Sequence, residues 1–304
     1  MRYRFYTLDV FSKTVFGGNP LAVFPDAEGL SGTQMQQVAK EFNLSETIFV
    51  FNPTLENTDF KVRIFTPSSE LPFAGHPTVG VAHLLASLGR IRMKGDESRI
   101  VLEEGVGAVP VLIRSENGKP QFVQFSAAKM PVFPNPVPSS SDIAASLSLD
   151  NSDLMTGKYQ QKVVDCGVTF LIVPLRSLAV IEKIRIDSSH WKRTMKDLSA
   201  VGMYVFTTET AQQSSNIHAR MFAPDEGILE DPATGSAATA LAGYLADLVN
   251  VDGPLHWVLE QGFEMGRPSI IDVEADRKSG KTVAIRVGGN SVIVSEGTID
   301  LPQI

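Results

Sequence analysis

The stretch Leu71-Pro-Phe-Ala-Gly-His-Pro-Thr-Val-Gly80 joins a strand-like run to an apolar helical run through Gly75-His76-Pro77. A second stretch, Glu230-Asp-Pro-Ala-Thr-Gly-Ser-Ala237, has the same make-up: a polar residue, a proline, then small residues opening an Ala-rich helix. Proline is favoured at the first helical position, where it has no intrahelical N–H bond to lose. Each stretch therefore reads as a helix start, with Asp231 as the N-cap of the second. Such a start offers unbonded backbone N–H groups and the positive end of the helix dipole. Two of them facing one cleft would hold an anion, such as a substrate carboxylate.

Working outward, residues 76–88 carry Val79, Val81, Ala82, Leu84, Leu85 and Ala86 on every side, and residues 232–248 are apolar and Ala-rich in the same way. A helix apolar all round is buried. His83, two turns past His76, is expected to pack inside. Segments 3–9, 20–24, 47–51, 60–66, 99–103, 108–114 and 121–125 have the β-branched and aromatic content of strands. Ser31 can cap a helix that keeps Met35, Val38, Ala39 and Phe42 on one face.

The chain also repeats itself. Arg63-Ile-Phe-Thr-Pro67 returns as Arg220-Met-Phe-Ala-Pro224, and Val101-Leu-Glu-Glu-Gly105 as Val258-Leu-Glu-Gln-Gly262, both 157 positions later (220 − 63 and 258 − 101). Thr78 matches Thr234 at 156. The Pro- and Ser-rich run 130–141 marks a boundary. These features predict two pseudo-symmetric α+β halves, residues 1–128 and 129–289, each a curved, barrel-like sheet around a central helix. A last strand, 290–304, lacks a counterpart and could cross back to the first half. The site would lie in the cleft between the halves.

Composition narrows the class. Hydrophobic residues are 43% and charged residues 20% of 304, as in a globular protein. The formal net charge is −7, with no Lys/Arg block, which argues against nucleic acid. No stretch reaches the length of a bilayer-spanning helix, and the amino terminus lacks the apolar run of a signal peptide. Cys166 is the one cysteine, so no intrachain disulfide can form. A cytoplasmic protein without membrane contact is the expectation.

Glu46 precedes the apolar run Thr47-Ile-Phe-Val50, and 156 positions later the second half has Gly202. A carboxylate at the mouth of one half alone suggests a single proton-transfer group. A glutamate against apolar walls can both take and give protons. An isolated Glu would be a surface carboxylate, and a lone His a packing residue; the repeat and the Gly75-His76-Pro77 setting favour site roles for Glu46 and His76. Thr234, Gly235 and Ser236 offer N–H and hydroxyl donors, though small residues there could serve packing alone. Asn19, in the turn Gly17-Gly-Asn-Pro20, could line the cleft. Cys166 reads as a small buried residue. The five histidines form no metal set, and no dinucleotide fingerprint, P-loop or nucleophile elbow is present.

Gly18-Asn-Pro-Leu-Ala-Val23, Asn43-Leu-Ser-Glu46, Phe73-Ala-Gly-His-Pro-Thr78, Asp231-Pro-Ala-Thr-Gly-Ser236 and Glu260-Gln-Gly262 together resemble the PhzF family, the phenazine-biosynthesis-like proteins. The motifs stand in order over nearly the whole chain. The resemblance implies the diaminopimelate epimerase-like fold, a homodimer, and isomerisation of the trans-2,3-dihydro-3-hydroxyanthranilate type without metal or organic cofactor. It implies that Glu46 shuttles the proton. His76, Asp231 and Ser236 would position the substrate and assist transfer. Gly75 and Gly235 would donate backbone N–H groups, with Asn19, Ser45 and Thr234 as further binding residues. Epimerases of this architecture set two opposed cysteines at the helix starts. Here Gly75-His76 and Asp231 stand there, which argues against a two-thiol racemase.

The leading reading is thus cofactor-free acid/base proton transfer on a small carboxylated metabolite. Two others remain open on sequence. One is a serine hydrolase using Ser236, His76 and Asp231, without an elbow motif in support. The other is a non-catalytic metabolite-binding protein.

Overall fold

The computed structural model describes residues 1–302, so the last two positions of the expected strand 290–304 lie outside the described residues. The chain runs β1 (Arg2–Val10), β2 (Asn19–Phe24), α1 (Gly32–Phe42), β3 (Glu46–Phe51), β4 (Phe60–Phe65), β5 (Glu70–Leu71), α2 (Gly75–Ser87), β6 (Glu97–Glu104), β7 (Gly107–Glu116) and β8 (Lys119–Ser126). It continues through α3 (Ser140–Ser146), β9 (Lys162–Asp165), β10 (Thr169–Pro174), α4 (Leu178–Ile181), α5 (Ser188–Met195), β11 (Gly202–Thr207), β12 (Ile217–Ala223), β13 (Ile228–Asp231) and α6 (Gly235–Asp247). It closes with β14 (Gly253–Gln261), β15 (Ser269–Lys278), β16 (Lys281–Gly289) and β17 (Ser291–Asp300). One compact unit holds Met1–Ser126 together with the chain from Gly288; the other holds Ala127–Val287.

In the first unit β1 pairs antiparallel with both β2 and β17. β2 runs parallel to β3, β3 antiparallel to β4, and β4 parallel to β6, which continues antiparallel into β7 and β8. The helix α2 touches β17, β1, β2 and β3 as well as β7 and β8, so the sheet curls around it. Its residues 75–86 are all buried, which accounts for its all-round apolar sequence. Gly80 is where sheet and helix come closest: a Cβ there would lie 2.5 Å from a methyl of Leu21. The other face of β2–β4 carries Phe24, Phe49 and Phe65, covered by Met35, Val38 and Ala39 of α1. Ser31 caps α1, and Gln34 completes a capping box, together worth ~1 kcal/mol or more.

The second unit repeats the pairing order. β9 is antiparallel to β10, β10 parallel to β11, β11 antiparallel to β12, β12 parallel to β14, and β14 antiparallel to β15. Here α6 touches β9, β10, β14 and β15. β15 alternates buried Ile271, Val273 and Ala275 with polar Asp272, Glu274 and Asp276. The counterpart of α1 is a patch of short helices, α3–α5, whose Ile143, Ile181 and Trp191 pack on Leu171, Val173 and Val205.

Three expectations are corrected. Neither helix begins at its proline, and Asp231 is not an N-cap. The helices begin at Gly75 and Gly235, capped by Ala74 and Thr234. Asp231 ends β13, and Pro232 leads the chain out of the strand before it can turn into the helix. Pro77 falls in the first turn of α2, where its missing N–H is equally harmless. The helix starts therefore correspond at 160 positions (235 − 75), so Thr78 corresponds to Ala238 rather than to Thr234. No helix among the described residues is long and apolar enough to cross a membrane.

Candidate active site

The first cluster forms where β3 and α2 both begin. Glu46 opens β3 in register with Leu21, the residue that packs on α2. Sharing that face, Glu46 places Oε2 3.1 Å from Nε2 of His76, the second residue of α2. Glu46 is 9% exposed and His76 4%. Burial pushes the His76 ring down to about 3, so it is neutral at pH 7. The two atoms are in close contact without hydrogen-bonding geometry, so the neutral ring packs on the carboxylate edge.

Asn19 is fully buried at the start of β2, opposite Val10. The residue before it, Gly18, has φ +62°, and a Cβ there would lie 2.2 Å from the Val10 carbonyl oxygen, so only glycine makes this turn. The Asp9 carboxylate accepts the Phe16 N–H at 2.6 Å and ties down the same loop. Ser45 is half-buried beside Glu46. At the start of α2, Ala74 supplies no side-chain cap, so no side chain competes for the N–H groups of Gly75 and His76.

The second cluster is built around Asp231. Thr234 occupies the N-cap of α6, yet its hydroxyl donates to Asp231 Oδ2 rather than to the helix. Gln261 holds the turn from four sides. Its Oε1 accepts from Thr234 N at 3.2 Å and from the Tyr204 hydroxyl at 2.9 Å. Its Nε2 donates to the Asp231 carbonyl at 2.8 Å and to Thr234 Oγ1 at 3.1 Å. Burial, and then the nearby Asp231 charge, push the Tyr204 phenol well above its usual range, so it stays a donor. Gly235 is buried, whereas Ser236 is half-buried and its hydroxyl makes no hydrogen bond among the described residues.

Repeat geometry sharpens the asymmetry between the two clusters. Gly202, counterpart of Glu46, has no room for a side chain: a Cβ there would lie 2.4 Å from the Phe222 carbonyl oxygen. Asp231 corresponds to Leu71, and Ser236 to His76. What stays constant is the frame. Arg63 grips Glu70 with two hydrogen bonds, and Arg220 grips Glu230 in the same way, so each hairpin feeding a helix start is held by one bidentate pair.

The family model described as phenazine biosynthesis-like protein matches residues 8–297. The chain belongs to the PhzF family. An uncharacterized isomerase of Mesorhizobium japonicum is 38% identical, covering 98% of this chain and 99% of its own. The trans-2,3-dihydro-3-hydroxyanthranilate isomerase of Pseudomonas aeruginosa is 33% identical over 97% and 98%. A Bacillus anthracis crystal structure of a PhzF-family phenazine biosynthesis protein superposes with a TM-score of 0.89 at 27% identity, covering 99% and 100%. The fold is α+β and diaminopimelate epimerase-like, and the protein is a PhzF-type isomerase.

For a PhzF protein the hydrolase reading finds little in this geometry. The ring of His76 lies against Glu46, while Ser236 Oγ has no hydrogen-bonded base. Burial pushes the Cys166 thiol up to about 12, so it is no thiolate nucleophile. Sequence reasoning missed Gln261 and Tyr204 as the frame around Asp231. The repeated Glu-Gln/Glu-Gly motif contained Gln261, but nothing local in the sequence says that its amide reaches a helix start. It also missed the buried set of His218, with Nδ1 2.7 Å from Glu260 and Nε2 2.9 Å from Glu264. Glu260 there accepts N–H groups from the loop at Ala211 and Gln212, as Glu103 does at Thr54 and Leu55. That repetition marks it as a loop brace common to both halves.

Proposed function

We propose that the protein moves a proton between two carbons of a small carboxylated metabolite of the dihydro-hydroxyanthranilate kind, with Glu46 as the proton carrier. The observation that carries the reading is the buried Glu46–His76 contact at 3.1 Å beside an uncapped helix start. Glu46 takes a proton from a carbon made acidic by its neighbour, a double bond shifts, and the same carboxyl returns the proton to a second carbon. Neutral His76 packs against Oε2 and limits where the carboxylate can turn. The N–H groups at Gly75, with Asn19 and Ser45, bind the substrate and the charge that develops on it. The second cluster, Asp231 held by Thr234 with the half-buried Ser236 beside it, offers a carboxylate and a hydroxyl of its own.

The finer parts of the reading are a homodimer, supported by the family resemblance, and a cytoplasmic site of action, supported by the single unpaired cysteine. Light scattering of the purified chain checks the first.

The deciding experiment is deuterium uptake from heavy water into trans-2,3-dihydro-3-hydroxyanthranilate, and into a pool of cyclic carboxylated metabolites. Native protein should label at least one of them at carbon, and Glu46→Gln should not. Equal labelling by both proteins would remove Glu46 from the reaction.

A further inference from the structure

Glu104 ends β6 directly beneath the start of α2, at the place that Gln261 holds beneath α6. The following glycine matches as well. A Cβ on Gly105 would lie 2.7 Å from Pro72, and one on Gly262 would lie 2.5 Å from Pro232, the prolines that lead into the two helices. In the second half the brace is an amide, which both donates and accepts. In the first half it is a carboxyl, buried at 5% exposure, with Oε2 lacking any hydrogen-bond partner.

The proton count around Thr78 says which form that carboxyl takes. Thr78 Oγ1 lies 2.8 Å from the Ala74 carbonyl oxygen and 2.8 Å from Glu104 Oε1. A hydroxyl has one hydrogen, and a carbonyl oxygen can only accept. Both contacts are satisfied together only if the Thr78 proton goes to Ala74 and Glu104 supplies its own proton to Thr78.

We propose that Glu104 is a positioning residue for the isomerase: a neutral carboxylic acid whose O–H···Oγ1 Thr78–H···O=C Ala74 relay holds the start of α2, and hence His76, in place. The proposal rests on the reading of His76 and Glu46 given above. A carboxylate in this position would break the relay and set a second negative charge near the helix start that is to receive an anion.

The surroundings keep the acid neutral. The titratable side chains on the elements packed around it are Lys61 and Arg63 on β4, Glu70 on β5, Glu97, Arg99 and Glu103 on β6, and His76 and His83 on α2, with Glu46 of β3 against His76. Lys61 is paired with Glu103 and Arg63 with Glu70, so neither cation is left for Glu104. The two histidines are held neutral by burial. β7 brings only Arg114 and Glu116, at its far end from Glu104. Burial accordingly pushes Glu104 up to about 8, the Thr78 contact opposing weakly.

The sign follows. Unfolded, the group ionises in the ordinary glutamate range; folded, it keeps its proton to about 8. Its contribution to stability is present at low pH and is lost as pH rises from the ordinary range through about 8.

The test compares native protein with Glu104→Gln and Glu104→Leu. Infrared spectra of native protein at neutral pH should carry the C=O stretch of an un-ionised carboxylic acid, absent in Glu104→Gln. The melting temperature of native protein should fall between pH 5 and 8 by more than that of Glu104→Gln. With turnover in hand, Glu104→Gln should keep kcat and extend activity to higher pH. Glu104→Leu should lower kcat by up to about 100-fold, the scale on which a misplacement of about 1 Å acts. A native spectrum identical to that of Glu104→Gln, or parallel melting curves against pH, would overturn the neutral acid. Unchanged kcat in Glu104→Leu would overturn the positioning role. The spectra and melting curves need no substrate, so they stand even if the proposed reaction fails.

Discussion

Glu46 Oε2 lies 3.1 Å from His76 Nε2, both side chains buried, and neither residue has its like at the matching place in the second half. One repeat thus carries a carboxylate–imidazole pair, and the other carries Gly202 and Ser236. On the proposed reading, two similar halves share one proton carrier rather than having one each. Loss of the carboxylate should cost turnover about 10²–10⁴-fold, the usual share of general acid–base help. Glu46→Gln should show that loss with a melting temperature near native. His76→Asn should cost less, since on the proposed reading the ring positions the carboxylate and does not carry the proton. Steady-state kinetics on both variants, at equal substrate, check the order; a larger loss for His76→Asn would make the ring the carrier.

His83 gives a pH prediction free of the chemistry. It is buried in α2, its Nδ1 has no hydrogen-bond partner, and burial pushes its pKa down to about 4. The unfolded chain binds its proton in the ordinary histidine range, so stability falls as pH drops from there toward 4. His83→Leu removes the penalty. The variant should gain about 2 kcal/mol on the native protein between pH 8 and pH 5. Urea unfolding at the two pH values measures it, and an equal difference at both would show that the ring does not titrate on unfolding.

The fold was largely legible because its signals are periodic. All-round apolar runs announced α2 and α6, and the 157-position echo of Arg63-Ile-Phe and Val101-Leu-Glu announced the duplicated sheet. Proline misled at the helix starts. Asp231-Pro232 has the local signature of a cap, but the cap is decided by where β13 ends, which depends on pairing with Met221 across the sheet. The frame residues were illegible for the same reason. Gln261 and Glu104 reach their helix starts from strands 26 or more residues away, and Tyr204 reaches Gln261 from 57 away; such contacts leave no spacing to read. Gly202 was noticed as the missing carboxylate, while the carbonyl oxygen of Phe222 that forces glycine there was invisible.

Gln261 should be among the least replaceable polar residues. Its four hydrogen bonds serve Thr234, Tyr204 and the Asp231 carbonyl, all buried. Gln261→Leu leaves these groups unpaired, at about 1–3 kcal/mol for each buried donor or acceptor stranded. Tyr204→Phe removes one partner only and should cost about 1 kcal/mol. A double-mutant cycle separates the shared part: the two losses should fall short of adding, and strict additivity would mean that the two side chains do not act together in solution.

Gly202 sets a limit on what this scaffold can become. It opens β11, and its neighbour Met203 pairs with Phe222 on β12, bringing the Phe222 carbonyl oxygen over the Gly202 Cα. A methyl group at 2.4 Å from that oxygen cannot be relieved by a side-chain rotation, because both partners are backbone. Gly202→Ala should therefore cost about 1–3 kcal/mol, the range for overpacking that must be met by backbone shifts. Gly202→Glu, which would give the second repeat a carboxylate to match Glu46, should melt lower than Gly202→Ala and add no turnover. Calorimetry on the two variants decides the matter. A Gly202→Ala protein as stable as native would show that β11 and β12 yield freely, and that asymmetry of the pair is not enforced by the backbone.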